Sequence, residues 1–108
     1  MRIAICNTPP GSATELAQTL VRENLAACVN IQGNIQSVYT WEGELCSEQE
    51  STLIIKVAAD GVSALRERVL TLHPYDVPEF VVLDVDTDAS HQPYIDWVRT
   101  QSSSSLKA

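Results

Sequence analysis

The spacing of hydrophobic and polar positions changes several times along the chain, and each change predicts an element. Arg2 to Asn7 reads as a short strand, broken by Pro9-Pro10-Gly11. Ser12 stands three residues before Glu15, the spacing of a capping box, and apolar Ala13, Leu16, Ala17, Leu20 and Val21 recur at helical intervals. A helix is expected there, ending near Glu23 or Asn24. From Ala27 to Trp41 the residues favour extended structure. At about 3.3 Å per residue this stretch would run roughly 50 Å, against a radius of gyration of about 13 Å for a domain of this size. It must bend, with Gly33 the natural place for a bulge, or project and pair with another chain.

Gly43 marks a turn, and Glu50 to Ala59 returns as a strand with Leu53, Ile55 and Val57 on one face. Thr52, Ile54 and Lys56 take the other. Val62, Leu65, Val69 and Leu72 predict a second amphipathic helix, stopped by Pro74. Glu79 to Val85 predicts a fourth strand, apolar on both faces. Pro93 suits the first turn of a last short helix holding Tyr94, Trp97 and Val98. Residues 102–108 are expected to be a disordered tail, which leaves 1–101 as one domain.

The order is βαββαβ plus a terminal helix, an α+β arrangement of the ferredoxin-like kind. Both long helices then cover the same sheet face. Yet Ile3–Cys6, Thr52–Val57 and Phe80–Val85 carry apolar residues on both faces, where a sheet with one wet face would alternate. Another copy of the chain is the expected cover, so an oligomer is predicted.

Composition narrows the partners. The chain has 108 residues, 44% of them hydrophobic, enough for one core. Its formal net charge is -7 and its seven Lys and Arg are scattered, which argues against nucleic acid and anionic membranes. No apolar run approaches the roughly 20 residues of a membrane span, and the start is too briefly apolar for a signal peptide. Cys6, Cys28 and Cys46 form no CxxC pair, which fits free thiols in a reducing cytoplasm.

The chain contains no Ser-His-Asp set, Gly-rich phosphate loop or HExxH motif. His73 is either a helix-end histidine bonded to free carbonyls or a ligand. Glu79, after Pro78, is a solvent-facing strand end, a ligand or a partner of Lys56. Cys6 is a buried small hydrophobe or, near Glu79 in a ferredoxin-like sheet, part of a Cys-His-carboxylate set suited to copper or zinc. Glu42, Glu44, Glu48 and Glu50 read as a solvated hairpin tip or a weak cation site. Tyr39, Trp41, Tyr75, Tyr94 and Trp97 belong to core and interface packing or to a small-ligand pocket.

Over roughly residues 3 to 98 the chain resembles the CutA divalent-cation tolerance family. The resemblance rests on Cys6-Asn7-Thr8-Pro9, Leu25-Ala26-Ala27-Cys28-Val29-Asn30-Ile31, Ser37-Val38-Tyr39-Thr40-Trp41-Glu42-Gly43, Lys56, His73-Pro74-Tyr75, Pro78-Glu79 and Tyr94-Ile95-Asp96-Trp97-Val98. It implies a ferredoxin-like protomer in a tight homotrimer, similar to the PII signalling proteins, with the long second and third strands pairing across subunits. It implies tolerance of divalent cations, chiefly copper, without catalysis, and metal ligands at Cys6, His73 and Glu79. The chain departs from the family pattern at Gly33, Val57 and Asp84, where proline, threonine and proline are usual. Two other readings stand beside metal handling. One is a PII-like sensor taking a small metabolite or anion in an inter-subunit cleft through Lys56, Tyr75 and Trp41. The other is a trimeric scaffold with no ligand of its own. Acylphosphatase chemistry is not expected, because Asn7-Thr8-Pro9-Pro10-Gly11 offers no arginine to cradle phosphate.

Overall fold

The computed structural model describes residues 1–104. Its elements are β1 (Arg2–Thr8), α1 (Ala13–Arg22), β2 (Cys28–Trp41), β3 (Glu44–Val57), α2 (Val62–Leu72), β4 (Val81–Asp84) and α3 (Gln92–Ser102). The strands form one antiparallel sheet in the order β2-β3-β1-β4, the ferredoxin-like arrangement with the first strand inside. Residues opposite one another in such a sheet share a face. Ala4, Cys6, Leu53 and Ile55 therefore point one way, against Leu16 and Leu20 of α1 and Leu65 and Val69 of α2, and these residues make the core.

Helix α1 starts and ends by different means. The expected capping box does not form: Ser12 makes no side-chain cap bond, because a 3-10 turn over Pro10–Ser12 already winds the backbone into the helix. The end is a Schellman motif. Asn24 takes the left-handed conformation (φ 58°), its N–H reaches the Val21 carbonyl, and Leu25 N–H reaches Leu20. Leu25 is thereby pressed into the core beside Leu20, and the chain is aimed into β2.

Strand β3 begins six residues earlier than the sequence suggests, since Glu42 and Gly43 (φ 51° and 83°) form a two-residue hairpin turn that keeps both strands paired to Trp41 and Glu44. Beyond Ser51, the last partner of β1, β2 and β3 run on as a two-stranded ribbon, and the molecule measures 44 Å along its longest axis. The overlong strand thus both bends and projects. Strand β4 is shorter than expected, confined to Val81–Asp84, the stretch paired with β1.

The second sheet face carries Ile3, Ile5 and Ile54 with Val81 and Leu83, and the last two are nearly half exposed in the single chain. Helix α3 is latched to the end of β3, where Ser102 Oγ accepts the Ala58 N–H at 2.8 Å. Ser102 and Ser103 are buried, so the packed structure reaches into the stretch expected as a tail. Residues 105–108 lie outside the described residues. Among the described residues no helix is long and apolar enough to cross a membrane.

Candidate functional site

A bulge in β2 creates the main cleft. Gln32 pairs with Thr52 but Ile35 with Glu50, so two residues, Gly33 and Asn34, oppose Ser51 alone. Asn34, rather than Gly33, takes the left-handed conformation, at φ 59°. One extra residue moves every later side chain of β2 to the opposite face. Tyr39 and Trp41 therefore share a face with Glu48 and Glu50, on the side of the sheet away from α1 and α2. The loop after α2 folds over the same place. Together they enclose a cleft of about 530 Å³, with Tyr39, Trp41 and Tyr75 as aromatic walls and Glu48, Glu50, Asp76 and Glu79 as carboxylates.

Histidine and tyrosine hold that loop. The His73 N–H bonds the Val69 carbonyl and closes α2. His73 Nε2 lies 2.7 Å from the Asn7 carbonyl oxygen, and Nδ1 accepts the Tyr75 N–H at 3.1 Å. A carbonyl only accepts, so the ring proton sits on Nε2. The two rings are 4.8 Å apart, and the Tyr75 hydroxyl donates to Glu50 Oε2 at 2.9 Å. Burial, then the bond to Glu50, pushes the Tyr75 phenol up to about 12. Glu50 is only 7% exposed, which corrects its expected place on a solvated tip. The Tyr39 phenol is raised chiefly by its hydrogen bond to Glu48. Burial, and next the Glu50 charge, raises the Glu79 carboxyl.

Of the expected ligands, Cys6 lies in the core beneath the helices, Glu79 lines the cleft, and His73 sits at the end of α2 beside Asn7. Both ring nitrogens of His73 are engaged within the chain. Cys6 is fully buried on the helix side, and burial, followed by the charges of Glu79 and Glu50, pushes its thiol up to about 12. Among the described residues no group of three or more His, Cys, Asp or Glu is arranged to hold a metal ion.

Of the three residues expected in an inter-subunit cleft, Trp41 and Tyr75 line this cleft within the single chain and Lys56 does not. Lys56 sits between Ile3 and Cys28, six residues beyond Glu50 on β3, about 20 Å away at the strand rise. The sequence marks Glu50 only as one acid of a hairpin-tip cluster, because the expected β3 starts there. Its parity with Thr52, Ile54 and Lys56 was the signal that it belongs to the second sheet face.

The arrangement matches known proteins over nearly its whole length. Residues 3–101 fit the family model described as CutA1 divalent ion tolerance protein. The divalent-cation tolerance protein CutA of Thermus thermophilus is 44% identical over 81% of this chain and 82% of its own. The chloroplastic CutA protein of Arabidopsis thaliana is 43% identical over 82% of this chain, which spans only 47% of that longer protein. Among solved structures, the PII-like protein CutA from Nostoc sp. PCC 7120 in apo form superposes with a TM-score of 0.92 at 46% identity, covering 94% of this chain and 97% of its own. The chain belongs to the CutA1 divalent ion tolerance family and has its PII-like α+β fold.

Proposed function

We propose that this chain is a non-enzymatic, PII-like binding protein of divalent-cation tolerance, that it works as a homotrimer in the cytoplasm, and that its ligand site is the cleft between the β2–β3 ribbon and the 73–79 loop. The cleft itself carries the reading. Four carboxylates line it, and among the described residues no lysine or arginine does. Such a surface attracts positive charge and repels anions, so its ligand is cationic: Cu(II) or another divalent ion, or a larger cation.

The trimer is supported by the uncovered second sheet face and by the ribbon. A two-stranded ribbon is marginal alone, and this one exposes Val38, Trp41 and Leu45 at 64%, 52% and 77%. The cytoplasmic setting is supported by three free cysteines. The reading is tested by sedimentation of the reduced protein together with titration by Cu(II) and Zn(II). A trimer with saturable binding that is lost in a Glu50→Gln, Glu79→Gln double variant supports it. A monomer, or binding that survives that variant and disappears with Cys6→Ser or His73→Ala, overturns it.

A further inference from the structure

We infer that Lys56 of one protomer enters the cleft of the next and pairs there with the carboxylates of Glu79 and Glu50, so that each cleft of the homotrimer is completed by the partner's Lys56. The inference rests on the proposed homotrimer and names the residue that joins one copy to the next.

Lys56 lies half-buried on the uncovered second sheet face, in one row with Cys28, Ile3 and Leu83. A copy that covers Ile3 and Leu83 therefore covers Lys56 as well. Burying an ammonium group is costly unless an anion meets it. Its own chain supplies none: among the described residues Lys56 makes no ion pair or side-chain hydrogen bond. The cleft is the electrostatic complement. Glu48, Glu50, Asp76 and Glu79 line it, and among the described residues no lysine or arginine does. The Tyr75 hydroxyl satisfies one oxygen of Glu50 but, being neutral, leaves its charge in place. The other described basic residues are engaged or point elsewhere. Arg2, Arg68 and Arg99 pair with Asp84, Glu23 and Asp96, while Arg22 and Arg66 stand exposed on α1 and α2, across the sheet from the cleft.

Lys56 and Glu50 share one face of β3 but stand six residues apart, about 20 Å at the strand rise, so they cannot meet within one chain. A head-to-tail contact brings the Lys56 end of one copy to the cleft end of the next, and three such contacts close a ring. One lysine offsets one of the four carboxylates, so the cleft stays negative and still attracts a divalent ion.

The test uses the full-length reduced protein, with unlabelled and nitrogen-15 chains unfolded together and refolded. A carbodiimide then joins any lysine amine to a carboxylate in direct contact with it. The expected product is an amide between Lys56 and Glu79 or Glu50 in which one peptide is labelled and the other is not. In sedimentation over a dilution series, Lys56→Met should weaken association by at least about tenfold. Lys56→Glu should weaken it further, and adding Glu79→Lys to that variant should restore it. Glu79 is exposed in the single chain, so this exchange does not depend on a core residue. A wild-type trimer that gives no mixed-label amide, or whose Lys56→Met variant associates as tightly as wild type, overturns the inference and leaves the homotrimer standing. Failure of the double exchange to restore association also overturns the pairing. A wild-type monomer overturns the homotrimer and the inference together.

Discussion

The Tyr75 hydroxyl donates to Glu50 Oε2 across 2.9 Å, joining the loop after α2 to the strand that forms the cleft wall. The bond fixes the direction of the Glu50 charge, and Glu50 in turn keeps Tyr75 folded over the sheet. Removing either partner should therefore disturb both the cleft and the loop.

Tyr75→Phe leaves the buried Glu50 carboxylate without this donor. A loss of about 1–3 kcal/mol is expected, measured as a lower urea midpoint at unchanged slope. A double-mutant cycle with Glu50→Gln should show coupling between the two positions, and strict additivity would count against the bond.

His73 acts here as a brace between α2, the Asn7 carbonyl and the Tyr75 amide. His73→Ala should cost about 1–3 kcal/mol, because the bonds to the Asn7 carbonyl and from the Tyr75 amide are both lost. Cation binding by the refolded variant should fall less than tenfold. Complete loss of binding from a protein of unchanged fold would make His73 a ligand instead.

Folding raises the proton affinity of Glu79, through burial and then through Glu50. The stability linked to this group is full below the ordinary carboxylate value of 4.5 and is lost as pH rises through the higher folded value. Wild type should thus lose stability relative to Glu79→Gln as pH rises above 4.5. Paired denaturation curves from about pH 4 to about pH 7 check this. Cation affinity should move the other way, strengthening as Glu79 ionises.

Gly61 lies under the end of α3. A Cβ built there would stand 2.4 Å from the Ser102 carbonyl oxygen and 3.3 Å from Val57. Gly61→Ala should destabilise by about 1–3 kcal/mol, and hydrogen exchange should quicken at Ala58, whose N–H is held by Ser102 Oγ.

Much of the fold was legible in the sequence because burial writes a period. Helix α2 falls where Val62, Leu65, Val69 and Leu72 place it. The apolar second face of the sheet was visible from Ile3, Ile5 and Ile54. The cleft was less legible, since it depends on a bulge. Gly33 marked its neighbourhood, but which side Tyr39 and Trp41 take turns on one extra residue, and Asn34 supplies the conformation. Glu50 looked like one more acid of a polar tip, because its burial comes from Tyr75, 25 residues later in the chain. The roles of Cys6 and His73 likewise hang on hydrogen bonds and depth, which residue type alone does not encode.

The most direct measurement is a nitrogen–proton spectrum of the labelled, reduced protein during titration with Zn(II), watched at the His73 imidazole and the Trp41 indole. The account predicts that the Trp41 signal shifts to saturation while His73 keeps its proton on Nε2 and its nitrogen positions. A His73 ring that changes to the pattern of a metal-bound imidazole, with Trp41 unmoved, would contradict it and return the site to Cys6, His73 and Glu79.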